Sequence, residues 1–196
     1  MTKDPGIPIG KGTKRVYLSL GSNLGDRAAQ IRRALQELNA AGIEVIQISS
    51  HYRTEPVDYK AQSWFVNCVA EVQTSRMPVQ LLRALQSIER KLGRRRGVPK
   101  GPRSIDIDIL FFENAVVQSA ALTIPHERLA ERRFVLVPLR EVAPNLRHPV
   151  TQQTVVEMLN ETPDTSKVIR LKTDYEEVKD KGGETPKIRG AALHRD

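Results

Sequence analysis

Ile105-Asp106-Ile107-Asp108 is where residue type and spacing first suggest chemistry. In an extended chain successive side chains point to opposite faces. Asp106 and Asp108 therefore share one face, and Ile105, Ile107 and Ile109 take the other. Two steps of about 3.3 Å put the backbone anchors of the carboxylates roughly 6.6 Å apart. Like charges this close repel, and a cation between or above them relieves the repulsion. Hard oxygen donors favour Mg²⁺, which brings phosphate groups with it. The alternative is an ordinary solvent-facing strand with alternating acids, and D-x-D by itself does not separate the two.

A basic cluster lies just upstream. Arg90, Lys91, Arg94, Arg95, Arg96 and Lys100 have no acid among them from Arg90 to Lys100, and Arg103 follows. The formal net charge is +8 at pH 7, so this stretch nearly equals the whole excess. One local cluster suits a small phosphorylated ligand better than a nucleic-acid duplex, which needs a wider basic stripe. A solvated surface loop accounts for the charge alone equally well. Phosphate-binding cations next to metal-binding carboxylates fit a nucleoside triphosphate carried with magnesium.

Other residues could contribute. Phe65 and Asn67 share a strand face opposite Val66, Cys68, Ala70 and Val72, and an aromatic beside an amide can stack on and hydrogen-bond to a flat heterocycle. A loop-covered Phe and a locally bonded Asn would look the same. The GSNLGDR stretch from Gly21 could offer backbone N–H groups to an anion, or be a tight turn with Asp26 as a helix cap. It has neither the Gly-x-Gly-x-x-Gly spacing nor the Gly-Lys-Ser/Thr ending of the established phosphate loops. Gln86 and Glu89, three apart, share a polar helix side. His126, near Arg132, Arg133 and Phe134, could change charge near neutral pH, or be structural.

These residues need a scaffold, and the hydrophobic pattern supplies one. Val16–Leu20 reads as a buried strand. Ala28, Ile31, Leu35 and Leu38 follow the 3.6-residue period of a helix capped by Asp26 and ended by Gly42. A second strand starts at Ile43 and a third at Phe65. Pro78 opens a helix whose stripe is Leu81, Leu85, Ile88 and Leu92, stopped at Gly93. A fourth strand starts at Ser104. Beyond it come a hairpin candidate around Glu113 and Asn114 and helical stretches near Glu127–Arg133, Val135–Val142 and Thr151–Leu159. The order strand, helix, strand, strand, helix, strand is that of a split βαβ, ferredoxin-like α+β sandwich. Its antiparallel sheet carries helices on one face and leaves the other for a ligand.

At 196 residues, 39% hydrophobic and 28% charged, the chain has the composition of one globular domain. It splits into a leader (1–14), a working domain (15–160) and a Gly/Pro-punctuated tail (161–196) expected to pack poorly. No apolar run approaches the ~20 residues of a membrane span, and the N-terminus lacks the apolar stretch of a secretory signal, so a cytoplasmic location is expected. Cys68 is the only cysteine, which excludes an internal disulfide and a zinc finger.

Six segments in order carry a resemblance over about Val16–Val150: YLSLGSNLGDR from Tyr17, YRTEPV from Tyr52, FVNCV from Phe65, IERKLGR from Ile88, GPRSIDIDIL from Gly101 and IPHERLAERRFVLVPLREVAP from Ile124. Together they resemble the 6-hydroxymethyl-7,8-dihydropterin pyrophosphokinase family of folate biosynthesis. The resemblance implies a usually monomeric ferredoxin-like fold that transfers pyrophosphate from ATP to a pterin hydroxyl and releases AMP. It implies that Asp106 and Asp108 hold two Mg²⁺ ions, acting with Arg94 and Arg103 in catalysis. Phe65 and Phe134 would sandwich the pterin, with Asn67 and the Thr54, Glu55 and Val57 stretch reading its edge. Gln86, Glu89, Arg94, Arg103, Ile109, Leu122, Thr123 and His126 correspond to the nucleotide site, with Arg96 and Arg132 as peripheral cations. The loop RGVPKGPR from Arg96 departs from the family in its compactness, its lack of Trp and its Pro99. Its closure over substrate is expected to differ.

Two other readings use the same features. An RNA-binding sheet face is disfavoured by 5% aromatics and by paired aspartates that would repel a phosphate backbone. A nucleotidyltransferase would place its acids soon after a Gly-Ser turn, whereas Ser22 and Asp106 lie far apart. The expected partners are therefore the small molecules ATP and hydroxymethyl dihydropterin, with neither nucleic acid nor membrane.

Overall fold

The computed structural model describes residues 12–57, 61–94 and 101–172. The chain enters through β1 (Lys14–Ser22), turns into α1 (Arg27–Ala40), and continues as β2 (Glu44–Ile48), β3 (Tyr52–Thr54) and β4 (Phe65–Thr74). Next come α2 (Pro78–Lys91), β5 (Asp106–Phe112), the short β6 (Val117–Gln118) and β7 (Thr123–Ile124), a 3₁₀ turn at Leu129–Glu131, α3 (Arg133–Val142), α4 (Val155–Glu161) and β8 (Val168–Arg170).

The local signals act as their chemistry requires. The Asp26 carboxylate accepts the Ala29 N–H at 2.9 Å and caps α1. Gly42 and Gly93, with φ of 70° and 83°, take the left-handed turns that follow α1 and α2. Pro78 stands in the first turn of α2, where its missing N–H costs nothing.

β1 lies between β4 and β5 in the sheet, antiparallel to both. The long β4 pairs with β2 along one half and with β3 along the other, and β8 adds to β3. Because β1 and β2 both run antiparallel to β4 and flank it, they are parallel to each other with a strand between. This is the split βαβ order.

Strand alternation sorts the side chains into two cores. Val16, Leu18, Leu20, Val66, Cys68, Ala70, Val72, Ile107 and Ile109 bury under Ile31, Ala34 and Leu38 of α1 and Leu81, Leu85 and Ile88 of α2. On the opposite face Tyr17, Val69 and Phe111 meet Val135, Leu136 and Leu139 of α3 and Val155, Met158 and Leu159 of α4. A bulge in β5 inserts Leu110 between the partners of Tyr17 and Leu18. It lets Leu110 and Phe111 both serve the second core while Phe112 returns to the first.

The fold class is α+β with an antiparallel sheet, as expected, but its second face is not bare. α3 and α4 cover it over Tyr17, Val69 and Phe111, so only one end of the strands is left for a ligand. Two further differences concern boundaries. Glu113, at φ 47°, turns the chain after β5 without making a hairpin there; the hairpin is β6–β7, turning through residues 119–122. Residues 161–172, expected in a loosely packed tail, include β8, whose Val168, Ile169 and Arg170 pair with Thr54, Arg53 and Tyr52. A three-residue edge strand has too little periodicity to stand out in sequence. The rest of the tail and residues 1–11 of the leader lie outside the described residues. No helix among the described residues is long and apolar enough to cross a membrane.

Candidate active site

A cavity of about 260 Å³ opens where the strand ends escape α3. That is near the lower bound of small-molecule sites, roughly 300 Å³. Its floor is the second face of the sheet: Ser19 and Gly21 from β1, Phe65 and Asn67 from β4, and Asp106 and Asp108 from β5. Pairing makes this floor, since Gly21 lies opposite Asn67 on one side and Asp106 on the other, and Ser19 lies opposite Asp108. One wall is Thr54, Glu55, Pro56 and Val57 with Gln62; the other is His126, Arg132 and Phe134; Arg94 and Arg103 complete it.

The two aspartates are not equivalent. Each Asp106 oxygen faces a guanidinium: Arg94 Nη1 lies 2.6 Å from Oδ1, and Arg103 Nη1 pairs with Oδ2. Asp108 stands farther from its neighbours, Arg132 Nη1 at 3.9 Å and the His126 ring Nε2 at 4.0 Å, and its side chain is 41% exposed. Crowding by its surroundings and then the Asp106 carboxylate push the Asp108 pKa up, a shift that this exposure softens. Burial, followed by the Arg132 charge, holds the His126 pKa below its usual value. His126 Nδ1 accepts the Arg128 N–H at 3.1 Å, while Nε2 faces Arg132 Nη1 at 3.4 Å and Asp108 at 4.0 Å.

Glu89 anchors the cation side from beneath. Its side chain is buried in α2 facing β5, where Oε1 accepts the Ile107 N–H at 2.8 Å and pairs with Arg94. Burial pushes its pKa up to about 7, against the pull of the Ile107 hydrogen bond and the Arg94 charge. The expected shared polar side of Gln86 and Glu89 is therefore corrected: Gln86 is exposed and Glu89 belongs to the inner face. Glu89 lies about 40° round the helix from the buried Leu85, and Gln86 about 60° farther round, past the edge of the buried stripe.

Asn67 is buried, and its Nδ2 donates to Thr54 Oγ1 at 2.6 Å, tying β4 to β3. Asn23, which the sequence offered only within an anion-binding loop or a turn, joins three segments. Its Oδ1 accepts the Arg103 N–H at 2.8 Å, and its Nδ2 donates to Gln62 Oε1 at 3.0 Å and to the Ser63 carbonyl at 3.4 Å.

The structure thus brings Thr54, Glu55, Val57, Phe65, Asn67, Arg94, Arg103, Asp106, Asp108, His126, Arg132 and Phe134 to one cavity. Ile109 does not line it, because strand alternation turns that side chain into the helix-side core. Leu122 packs against the same core and Thr123 lies on β7, so the β6–β7 hairpin also stands off the cavity. Arg96 and most of its loop lie outside the described residues. Ser19 and Gln62 line the cavity without having been expected to, and Gly21 and Pro56 do so as members of the glycine loop and of the Thr54–Val57 stretch. Of these, Ser19 could have been found by carrying strand alternation along β1 to its end.

Asp106 and Asp108 are a fit for magnesium by the chemistry of their donors. Among the described residues no cluster of three or more His, Cys, Asp or Glu side chains could hold an ion. Two carboxylates with the remaining ligands drawn from phosphate and water is the arrangement Mg²⁺ favours.

Fold and site together define a split-βαβ domain with an aromatic-lined, cation-flanked cavity carrying paired carboxylates. Residues 17–144 match the 7,8-dihydro-6-hydroxymethylpterin-pyrophosphokinase (HPPK) family model, and the chain belongs to that family. It is 47% identical over 167 residues to the folic acid synthesis protein fol1 of Schizosaccharomyces pombe, covering 85% of this chain and 22% of that protein. It is 43% identical over 136 residues to the 2-amino-4-hydroxy-6-hydroxymethyldihydropteridine pyrophosphokinase of Bacillus subtilis, covering 69% of this chain and 81% of that enzyme. The chain therefore spans about a fifth of the fungal relative and four fifths of the bacterial one. Plasmodium falciparum HPPK-DHPS, crystallised with pterin and p-hydroxybenzoate, shares the fold at a TM-score of 0.60 and 19% identity, over 76% of this chain and 43% of that one.

Proposed function

We propose that this chain transfers the pyrophosphoryl group of ATP to the hydroxymethyl oxygen of 6-hydroxymethyl-7,8-dihydropterin, releasing AMP. The observation that carries this reading is the convergence of Asp106 and Asp108, Arg94 and Arg103, and Phe65 and Phe134 on one cavity. The relatives named as pyrophosphokinases support the same reaction.

In this reading Phe65 and Phe134 stack on the pterin ring, and the buried Asn67 and Thr54, already oriented by their mutual hydrogen bond, meet its polar edge. Arg94 and Arg103 exchange the Asp106 carboxylate for phosphate oxygens, so triphosphate charge is neutralised by groups that are in place beforehand. His126, whose Nε2 lies 4.0 Å from Asp108, contacts a phosphate oxygen beside that carboxylate. Asp106 and Asp108 would hold two Mg²⁺ ions, which when bound neutralise phosphate charge and make the attacking hydroxyl more acidic. The hydroxyl oxygen forms its bond to the β-phosphorus as the bond to the α-phosphate oxygen breaks, and its proton leaves to solvent. Phosphoryl transfer of this kind depends mostly on alignment and charge neutralisation, so no further side-chain base is required.

The test is to incubate the protein with ATP, magnesium and the hydroxymethyl dihydropterin. AMP and the pterin diphosphate should appear in equal amounts, only when all three are present. Free pyrophosphate in place of AMP would identify a nucleotidyltransferase instead.

A further inference from the structure

We propose that residues 164–171, beyond the family-matched region, are a brace that sets the distance between the two cavity walls, with Asp164 as a positioning residue for Phe134 and Arg132. The segment touches both walls within a few residues. Asp164 Oδ2 accepts the Arg133 N–H at 2.8 Å, and its Oδ1 accepts the Ser166 N–H at 2.8 Å. Lys167 then exchanges two hydrogen bonds with Glu55: its carbonyl accepts the Glu55 N–H at 3.0 Å, and its N–H donates to the Glu55 carboxylate at 3.2 Å. From there β8 pairs with β3, and the Leu171 N–H reaches the His51 carbonyl at 2.9 Å.

The need for an outside cap is written in α3 itself. Its N-cap position is Arg132, which makes no side-chain capping bond, and its first turn holds no acid. Unpaired N–H groups and the positive end of the helix dipole beside Arg132 and Arg133 are unfavourable until an anion meets them. Asp164, 31 residues away, supplies that anion. Phe134 is the second residue of α3, so a fraying first turn would let its ring swing and would move Arg132, whose guanidinium lies 5.6 Å from the Phe134 ring centroid. A second tie holds the same elements farther along. Glu141 of α3 accepts the Tyr52 hydroxyl at 2.8 Å and the Ser50 N–H at 3.0 Å, and Arg170 of β8 lies 3.5 Å from it.

The inference rests on the proposed function for the identity of the ligand but not for the brace itself. Asp164→Ala and Asp164→Asn are compared with wild type by calorimetric titration with 6-hydroxymethylpterin and, separately, with MgATP. Amide hydrogen exchange is followed at residues 133–136 and in α1. Loss of a cap costs about 1 kcal/mol, so Asp164→Ala should weaken pterin binding about fivefold and MgATP binding less. Exchange should speed up at residues 133–136 and stay unchanged in α1. Asp164→Asn, which keeps an acceptor oxygen, should recover part of both effects. Equal losses for the two ligands, or unchanged exchange at residues 133–136, would overturn the brace. If wild type binds no pterin while exchange at residues 133–136 still rises in Asp164→Ala, the brace stands and the proposed function fails.

Discussion

The side-chain oxygen of Asn67 sits where a Cβ on Gly21 would have to be, closer than any real Cβ contact allows. The two residues face each other across β1 and β4, and Asn67 is held there by its hydrogen bond to Thr54. Gly21→Ala should therefore push Asn67 off Thr54 and cost about 1–3 kcal/mol of stability in urea titrations. Asn67→Ala in the same chain removes the clash, so the double variant should be less destabilised than the sum of the two single changes. Simple additivity would show that the contact does not govern this position.

Asp106 and Asp108 should both be required for magnesium-dependent AMP formation. Asp106→Ala and Asp108→Ala are expected to lower turnover by roughly 10²–10³ while leaving the far-ultraviolet circular dichroism unchanged. Asp108→Asn should barely alter stability, because the side chain is 41% exposed and its pairing with Arg132 is loose, at 3.9 Å. Turnover at the wild-type level in either alanine variant would remove the carboxylate pair from the chemistry.

Phe134→Ala separates the ring from the triphosphate. It lines the wall opposite Thr54–Val57, whereas Arg94 and Arg103 lie beside Asp106. Loss of one stacking ring is worth about 1 kcal/mol beyond burial, so pterin affinity should fall roughly fivefold to tenfold with MgATP affinity nearly constant. Calorimetric titrations giving matched losses for both ligands would argue against a ring held between aromatics.

Glu89 gives the fold a pH dependence whose sign follows from its raised pKa of about 7 against 4.5 in the unfolded chain. The folded state holds the proton more tightly, so this group's contribution to stability is complete below pH 4.5 and is lost as pH rises toward 7. Glu89→Gln cannot ionise and should flatten that decline. Urea midpoints at pH 5 and pH 7.5 should differ less in the variant than in wild type. An unchanged difference would assign the pH dependence to other groups.

The alternation of Asp106 and Asp108 against Ile107 and Ile109, the stripes of α1 and α2, and their caps were legible in the sequence. Each depends on neighbours within one or two turns, and burial of one face is enough to enforce it. The basic cluster beside the aspartates was legible for the same reason, and Arg94 and Arg103 do meet Asp106. Glu89 was not: its burial follows from where α2 docks on β5, and no pattern of charges along a helix states which polar residue will lie over a neighbouring strand. Nor could composition show that residues beyond 161 return to the sheet. The three residues of β8 gain their order from β3, and Asp164 finds its partner 31 residues back. Local periodicity and capping chemistry therefore determined the elements and the face on which the reactive groups stand. Only tertiary packing decided how far α3 covers that face, which polar groups are buried beneath it, and what holds the two walls of the cavity apart, because those outcomes are set by contacts between segments distant in the chain.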